Sequence, residues 1–401
     1  MKRVVLLGTF DTKGAEYAYI AEQITARGLE VILVDMGIYE PQAVTPTIDR
    51  NAVAAASGFD SRVLAAKGDR GAAVTAMAQG ATVVLRDLYE DGRFDAVFAL
   101  GGGGGTSMAA HAMRELPVGI PKLILTTIAA GDTKPIIGAS DIMLMQAIVD
   151  PVGLNRVTCR MFTSAAAALA GMATSDVAEQ PSDRPLIAAT MFGVTTPCVD
   201  AARKRLEAAG FEVLVFHATG TGGATMEKLV RQRAFAGVLD ITLTELADEL
   251  VGGILSAGPE RLEAASDTRT PQVVTLGALD MVNFGPRDTV PERFKDRVFY
   301  QHNEIVTLMR TTAEECAELG KVIARKLNAA EEGVSLFIPT LGTSMISVQG
   351  QPFYDPAADA ALIDAVKQDI QDHVEVVEMD AALNDEVFAH QMADRLIAYC
   401  S

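Results

Sequence analysis

The chain has 401 residues, 49% of them hydrophobic and 21% charged, a composition typical of a globular protein with room for two cores. Its formal net charge of −18 at pH 7 disfavours nonspecific binding to nucleic acid or to anionic membranes. No apolar stretch approaches the roughly 20 residues that cross a bilayer, and no signal-peptide core follows Met1, so we expect a cytoplasmic protein. The four cysteines and five histidines lack ligand spacing, which argues against a disulfide framework and a transition-metal site.

Nine short runs, apolar at nearly every position, alternate along the chain with longer segments of helical period. Runs of this kind are typical of strands that are buried on both faces of a parallel sheet, so the sequence predicts an α/β fold. The predicted strands are Val4–Leu7, Val31–Val34, Ala96–Leu100, Leu123–Thr127, Leu186–Met191, Val213–His217, Gly237–Ile241, Val273–Leu276 and Ser335–Pro339. The stretch from Pro356 to Ser401 is predicted to be helical.

An internal repeat divides the chain into two similar halves. Residues 4–37 match residues 186–220 at an offset of 182, each with a strand, a loop, an alanine-rich helix and a glycine before the next strand. We therefore predict two Rossmann-like, doubly wound parallel-sheet subdomains, 1–182 and 183–401, which face a cleft. The polar, proline-flanked segment 179–185 marks the boundary.

The first predicted loop, Gly8–Gly14, reads GTFDTKG and lies between a strand and a helix. It is not a P-loop, because Lys13 is followed by glycine rather than by serine or threonine. Lys13 could still meet a phosphate as a point charge while Thr9 and Thr12 donate hydrogen bonds and Asp11 holds Mg²⁺ through water. The alternative is structural, with Asp11 or Thr12 as the helix N-cap and Lys13 in solvent.

The repeat offers a test of this loop. At the offset of 182, Gly8, Asp11 and Lys13 correspond to Thr190, Gly193 and Thr195. The second half therefore keeps the turn but lacks the charges, which favours a nucleotide on the first half and a different ligand, or none, on the second.

A run of five glycines follows the third predicted strand and precedes an alanine-rich helix. It consists of Gly101, Gly102, Gly103, Gly104 and Gly105, and Thr106 and Ser107 follow as hydroxyl donors. Glycines let a bulky anion approach the backbone, and the amides at a helix start carry partial positive charge. A tight turn would need fewer glycines, so the run favours a phosphate site.

Further polar residues follow other predicted strands. In the first half, Thr127 comes after the fourth strand, and Ser140 and Asp141 are predicted to cap a helix, with Asp141 also a candidate metal ligand. Asp35 ends the second strand, where it could bind a ribose, although no G-x-G-x-x-G motif supports a dehydrogenase.

The second half has its own candidates. Gly220, Gly222 and Gly223 are consistent with an anion nest or with a plain turn. His217 could act as an acid or base, although ordinary hydrogen bonding explains it equally. Glu245, Asp248 and Glu249 share a helical face, which is either solvated or able to bind Mg²⁺ or a cationic substrate.

Several of these motifs together resemble the Tm-one-like ATP-binding domain family. They are GTFDTKGAE, ALGGGGGTS, GASDIMLMQAIVDPVGLN, TMFGVTTPCV, FHATGTGG, LDITLTELADELVGG and GALDMVNFG. The resemblance implies two Rossmann-like subdomains, homodimers and ATP bound by the first subdomain, near Thr9, Asp11, Thr12, Lys13 and Gly102–Thr106.

Together, the motifs and the resemblance predict an ATP-binding protein that uses ATP–Mg²⁺ to phosphorylate or activate a small polar metabolite. The candidate catalytic residues are Lys13, Glu245 and His217, and the candidate metal ligands are Asp11 and Asp141. This activity would be of the phosphotransferase or ligase type. The alternative is a nucleotide-sensing protein that binds ATP without turnover and acts through a partner chain.

Overall fold

The computed structural model describes residues 1–175 and 183–401, and the chain divides into two compact units, Met1–Gln180 and Pro181–Ser401. The predicted boundary segment 179–185 lies in part outside the described residues. Each unit contains one large parallel β-sheet covered by helices.

The first unit is built on a five-stranded parallel sheet in the order β2-β1-β3-β4-β5. Its elements are β1 (Arg3–Gly8), α1 (Phe10–Thr25), β2 (Glu30–Asp35), α2 (Arg50–Ala56), α3 (Ser61–Lys67), α4 (Arg70–Glu90), β3 (Ala96–Gly101), α5 (Gly103–Arg114), β4 (Lys122–Thr126), α6 (Lys134–Ile137), β5 (Met143–Gln146) and α7 (Thr158–Thr174). Helices α2, α4 and α5 pack on one face of the sheet, and α1 and α7 pack on the other. The chain reverses its direction of winding between β1 and β3, where open α/β sheets usually bind ligands.

The second unit repeats this order and extends it. Its six-stranded parallel sheet has the order β14-β13-β9-β8-β6-β7, and a small antiparallel sheet has the order β10-β12-β11. The elements are β6 (Leu186–Met191), α8 (Thr196–Ala208), β7 (Glu212–His217), α9 (Thr221–Arg231), β8 (Gly237–Thr242), α10 (Thr244–Val251), α11 (Ala264–Thr268), β9 (Gln272–Gly277), β10 (Met281–Phe284), β11 (Phe299–Asn303), β12 (Val306–Arg310), α12 (Ala313–Leu327), β13 (Val334–Pro339), α13 (Pro356–Asp369), β14 (Glu375–Met379) and α14 (Glu386–Cys400).

The predicted α/β fold with two similar doubly wound sheets is confirmed. Each of the nine predicted strands exists, and its ends fall within one residue of the prediction. The sequence did not reveal β5, β14 or the small sheet. The prediction of an all-helical stretch from Pro356 to Ser401 is wrong, because β14 separates α13 from α14 and pairs with β13.

The hydrogen-bond ladders correct the alignment of the repeat. Gly8 pairs with Asp35, and Met191 pairs with His217. The first strands of the two halves therefore correspond at an offset of 183 residues, and the offset becomes 182 at the second strands. Asp11 and Lys13 then correspond to Val194 and Thr196 instead of Gly193 and Thr195, and these counterparts are uncharged as well.

Candidate functional site

A cavity of about 540 Å³ lies at the carboxyl ends of β1, β2 and β3, at the switch point of the first sheet. Its polar side chains belong to Thr9, Asp11, Thr12, Lys13, Tyr39, Asp69 and Arg70, and the backbone of Gly101, Gly102, Gly103, Gly104 and Gly105 also lines it. Its apolar residues include Met36, Ile38, Ala73, Val74, Met77 and Met108. A volume in this range suits a small molecule or a nucleotide, and the mixed lining offers contacts to charged and apolar parts of one ligand.

The glycine run forms the start of α5. Gly102 is the N-cap residue and provides no side-chain cap, and the first helical hydrogen bond runs from the Thr106 N–H to the Gly102 carbonyl over 2.9 Å. The amides of the first helical turn, Gly103 to Gly105, therefore have no partner inside the helix. Because they line the cavity, they are available to an anion there.

Packing does not explain why Gly103, Gly104 and Gly105 are glycines. A Cβ atom on Gly103 would have no atom within 4 Å, and on Gly104 or Gly105 the nearest atom would be 3.6 Å away. None of the three has the positive φ angle that favours glycine. Gly101 differs, since its Cβ would lie 3.0 Å from the backbone of Gly105 and Thr106. The three glycines after Gly102 thus leave open space where a ligand could approach the backbone.

The opening loop lines the cavity with side chains, and three of its amides are already hydrogen-bonded within the protein. The Phe10 N–H at the start of α1 donates to Asp35 Oδ1 over 3.1 Å, and the Thr12 and Lys13 N–H groups donate to the Thr9 carbonyl. The Thr9 and Thr12 hydroxyls are 2.8 Å apart. Lys13 Nζ donates to the Pro151 carbonyl over 2.9 Å, which uses one of its three N–H groups.

Asp11 joins this loop to the segment after β2. Its Oδ2 accepts hydrogen bonds from the N–H groups of Ile38 and Tyr39, at 3.2 and 3.1 Å. Its Oδ1 is buried and has no hydrogen-bond partner among the described residues. No cluster of three or more His, Cys, Asp or Glu side chains in residues 1–175 and 183–401 could hold a metal ion. A Mg²⁺ ion at Asp11 would therefore take its other ligands from phosphate oxygens and water, as Mg²⁺ commonly does.

Five predicted ligand contacts in the first half lie outside this cavity. Gly8 is required by packing, because a Cβ there would lie 2.1 Å from the Tyr17 ring. Thr106 is buried and its hydroxyl lies 2.6 Å from the Thr126 hydroxyl. Ser107 lines a neighbouring cavity, and the Thr127 hydroxyl lies 3.8 Å from the position that a Cβ on Gly102 would occupy.

Asp35 is the fifth of these residues, and the prediction that it binds a ribose is not supported. Its side chain is 0% exposed, and Oδ1 accepts the N–H groups of Phe10 and Gly37. Burial raises the pKa of its carboxyl, against the hydrogen bonds from Gly37 and Phe10. Asp35 thus holds the start of α1 and the turn after β2.

Asp141 is not placed to bind a metal or to cap a helix, because the next element is β5. Its carboxylate forms an ion pair with the buried Lys122 and accepts the Gly119 N–H over 2.7 Å. Partial burial alone would raise the pKa of Asp141, but the hydrogen bonds from Lys122 and Gly119 keep it lowered. The residue instead neutralises Lys122 next to the edge strand.

Glu245 cannot be the catalytic residue or metal ligand that the sequence suggested. Its side chain is 0% exposed, and Oε1 accepts the N–H groups of Gly220 and Gly223 at 2.7 and 3.0 Å. Oε2 accepts from Arg261 Nε over 2.7 Å. The predicted nest at the start of α9 does bind an anion, but that anion is the protein's own Glu245 carboxylate.

The other acidic and basic candidates of the second half do not form a common site with Glu245. Asp248 is buried and accepts the N–H groups of Asn283 and Leu255, whereas Glu249 is exposed, so the three carboxylates do not share a solvated face. His217 is exposed, and its ring centroid lies 5.5 Å from that of Phe192.

Arg70 is a cavity residue that the sequence reasoning missed. It is the first residue of α4, follows the left-handed Gly68 and the N-cap Asp69, and faces the glycine run. It lies 56 residues after the first predicted loop and 31 residues before the glycine run, within the crossover from β2 to β3. The sequence signal was the Gly-Asp pair before a long helix, which predicts a helix start but not the loop that it will face.

Comparison with known proteins identifies the family. Residues 2–178 match the N-terminal domain and residues 184–400 the C-terminal domain of the uncharacterised protein family UPF0261, so the chain belongs to this family. It is 49% identical to a UPF0261 protein of Clostridium tetani over 99% of this chain and 98% of that one. It is 36% identical to the ToMV resistance protein Tm-1(GCR237) of Solanum lycopersicum over 98% of this chain, but it spans only 55% of the tomato protein. The resemblance to the Tm-one-like family is thereby confirmed as a relationship of sequence.

Solved structures are much more distant. A UDP co-structure of MnaA from S. aureus matches with a TM-score of 0.24 and 12% identity, covering 100% of this chain and 92% of that one. So low a similarity carries no argument about ligands. Of the helices in the described part of the chain, none combines the length and the apolar character needed to span a membrane.

Proposed function

We propose that this member of the family binds ATP–Mg²⁺ in its first unit and uses it to phosphorylate or activate a small polar metabolite. The observation that carries the proposal is the start of α5, where Gly103, Gly104 and Gly105 present to an open cavity amides that have no partner inside the helix. A glycine in a helix interior costs roughly 1 kcal/mol relative to alanine, and in this first turn neither packing nor backbone conformation requires glycine. Close approach of a phosphate to the backbone explains all three.

The remaining lining fits a nucleotide. Lys13 retains N–H groups that could neutralise phosphate charge, and Thr9 and Thr12 supply hydroxyl donors. Met77 and Met108 belong to an apolar wall of suitable character for a base. The unpaired Oδ1 of Asp11 fits a Mg²⁺ ion that is otherwise coordinated by phosphate oxygens and water.

This arrangement suits phosphoryl transfer, in which the protein contributes mainly positioning and electrostatic stabilisation. The α5 amides would hold the phosphates, and the Lys13 ammonium would offset charge that develops on the transferred group. Bound Mg²⁺ would neutralise further phosphate charge. No general base is assigned, since neither Glu245 nor His217 lines this cavity. Self-association, which the family resemblance implies, is part of the proposal.

A second candidate function is a nucleotide sensor that acts through a partner chain. One observation favours it: Lys13 is hydrogen-bonded to Pro151, in a segment with strongly exposed apolar side chains, including Ile148 at 76% and Val152 at 56% exposure. A ligand that contacts Lys13 in the cavity could therefore shift the segment that carries these exposed apolar side chains. Turnover distinguishes the two functions, because a sensor would bind ATP without releasing ADP.

Isothermal titration with ATP–Mg²⁺ tests the site. We expect the wild-type chain to bind, Lys13→Met to weaken binding about tenfold or more, and Lys204→Met, an exposed lysine of the second unit, to bind normally. Equal affinity in wild type and Lys13→Met would remove Lys13 from the site. ADP release with a panel of small metabolites would then separate enzyme from sensor.

A further inference from the structure

Arg70 stands out among the cationic side chains of the first unit. It lines the cavity, and its Nη2 lies 3.6 Å from the position that a Cβ on Gly104 would occupy. Lys13, the other cationic residue of the lining, already donates to the Pro151 carbonyl. Arg70 is exposed and has neither an ion pair nor a side-chain hydrogen bond with any residue in the described part of the chain. Its donors therefore point into the region of the cavity where we place the phosphates.

Neighbouring charge does not explain the position of Arg70. Asp69, the adjacent carboxylate, accepts the Ala72 N–H over 3.0 Å and caps α4. Gly68 ends α3 with a φ of 65°, and no atom lies within 4 Å of its Cβ position. The chain thus turns sharply at Gly68 and begins α4 with Arg70 at the cavity.

The two helices that flank the cavity both begin with polar residues and continue with apolar ones. Along α4, Arg70 is followed by Ala73, Val74 and Met77, which line the same cavity over about 10 Å. Along α5, the glycines are followed one turn later by Met108. Both helices therefore place their polar residues at their N-terminal ends and their apolar residues further along. A ligand with an apolar group at one end and a chain of anionic groups at the other matches this gradient.

We infer that Arg70 binds the terminal phosphate and makes the cavity selective for nucleoside triphosphates over diphosphates. This inference rests on the proposed nucleotide site and adds the substrate class. The α5 amides and Lys13 are held in place by the fold, whereas Arg70 is exposed on a side chain that can follow the end of the polyphosphate. A guanidinium can bind a terminal phosphate with two parallel hydrogen bonds, which an ammonium cannot do.

The test compares ATP with ADP, by titration calorimetry, in the wild-type chain, Arg70→Ala and Arg70→Lys. The control is Arg62→Ala, an exposed arginine of α3 that does not line the cavity. We expect Arg70→Ala to weaken ATP binding by about 10- to 100-fold and ADP binding by less than about threefold. Arg70→Lys should fall between wild type and Arg70→Ala, and Arg62→Ala should match the wild type. Thermal melts would establish that all variants are folded.

Equal losses for ATP and ADP, or no loss for either, would overturn the role of Arg70. Inorganic tripolyphosphate and pyrophosphate separate this result from failure of the nucleotide proposal. If the wild type prefers tripolyphosphate to pyrophosphate and Arg70→Ala does not, Arg70 recognises the terminal phosphate. This conclusion would hold even if the proposal that the cavity binds a nucleoside fails. If the wild type binds neither nucleotides nor inorganic polyphosphates, both proposals are wrong. If it binds nucleotides without preference for ATP, only the inference about Arg70 is wrong.

Discussion

Gly101 and Gly103 are two residues apart, yet the fold needs only the first of them. A Cβ on Gly101 would press on the backbone of Gly105 and Thr106 at 3.0 Å, whereas a Cβ on Gly103 would enter open space. The sequence shows five identical letters here. Only the structure separates the glycine that permits the strand-to-helix turn from those that leave room for a ligand.

The contrast predicts opposite effects on stability from one substitution. Gly103→Ala should raise the free energy of unfolding by up to roughly 0.5 kcal/mol, below the helix-interior value because Gly103 begins α5, since alanine favours the helix and meets no atom. The same change should weaken ATP–Mg²⁺ binding, because the added methyl group occupies ligand space. Urea unfolding and titration calorimetry would measure the two effects.

Gly101→Ala is the matched control for this prediction. It should destabilise the chain, since the backbone of α5 must shift to admit a Cβ. A Gly103→Ala variant that loses stability, or that binds ATP–Mg²⁺ as tightly as the wild type, would contradict the assignment of Gly103 to a ligand site.

The carboxylates show why residue roles were harder to predict than strands. Asp11, Asp35, Asp141 and Glu245 each follow or adjoin a strand end, so the sequence makes all four candidates. Only Asp11 lines the cavity. The others are neutralised or hydrogen-bonded by Lys122, Arg261 and backbone amides that are distant in sequence. Such partners depend on tertiary packing, which a local motif does not contain.

Among elements, most of the predicted strands are the buried central ones, although the edge strands β2 and β7 were predicted as well. β1, β3 and β9 are apolar along most of their length because both of their faces are covered, and this pattern is visible in a sequence. β5 and β14 lie at sheet edges and are only partly buried, so their sequences, MLMQ and EVVEM, lack that pattern. The sequence alignment placed the first strands of the two halves one residue out of register. The glycine-containing turns of the two halves look alike in sequence, and only the hydrogen-bond ladders show which strand residues correspond.

Equivalent helices begin in different surroundings in the two units. β3 and β8 occupy equivalent places in their sheets, and the helix that follows β3 begins with glycines at an open cavity. The helix that follows β8 begins with the buried Thr244 and Glu245. The buried Glu245 carboxylate accepts hydrogen bonds from the Gly220 and Gly223 amides. In the second unit, the protein's own carboxylate therefore takes the place that an external anion could occupy.

This replacement predicts that Glu245 matters for stability. Glu245→Gln keeps the shape but removes a buried charge that pairs with Arg261, and we expect it to lower the free energy of unfolding by about 3 kcal/mol. Glu249→Gln, on the exposed side of α10, is the control and should change it by less than about 0.5 kcal/mol. Urea unfolding would measure both. A Glu245→Gln chain of wild-type stability that fails to bind ATP–Mg²⁺ would return Glu245 to the list of ligand contacts.

At the scale of the whole molecule, each unit has its own core. The clusters around β1 and β3 draw only on residues of the first unit, and those around β8, β9 and β13 draw only on residues of the second. The cavity at the carboxyl ends of β1, β2 and β3 likewise is lined entirely by residues of the first unit. The two related folds therefore need not respond alike to a ligand.

We therefore expect hydrogen exchange to distinguish the units. At an ATP–Mg²⁺ concentration about 100 times the Kd, binding stabilises the occupied fold by about 2.7 kcal/mol, which slows exchange through its unfolding by about 100-fold. Amides of residues 9–13 and 101–106 should be protected in the full chain, whereas residues 217–224 and 244–251 should exchange as in the free protein. Mass spectrometry of peptides would locate the effect. Protection confined to the second unit would reverse the assignment, because the nest that is filled by Glu245 would then be the part of the molecule that senses the nucleotide.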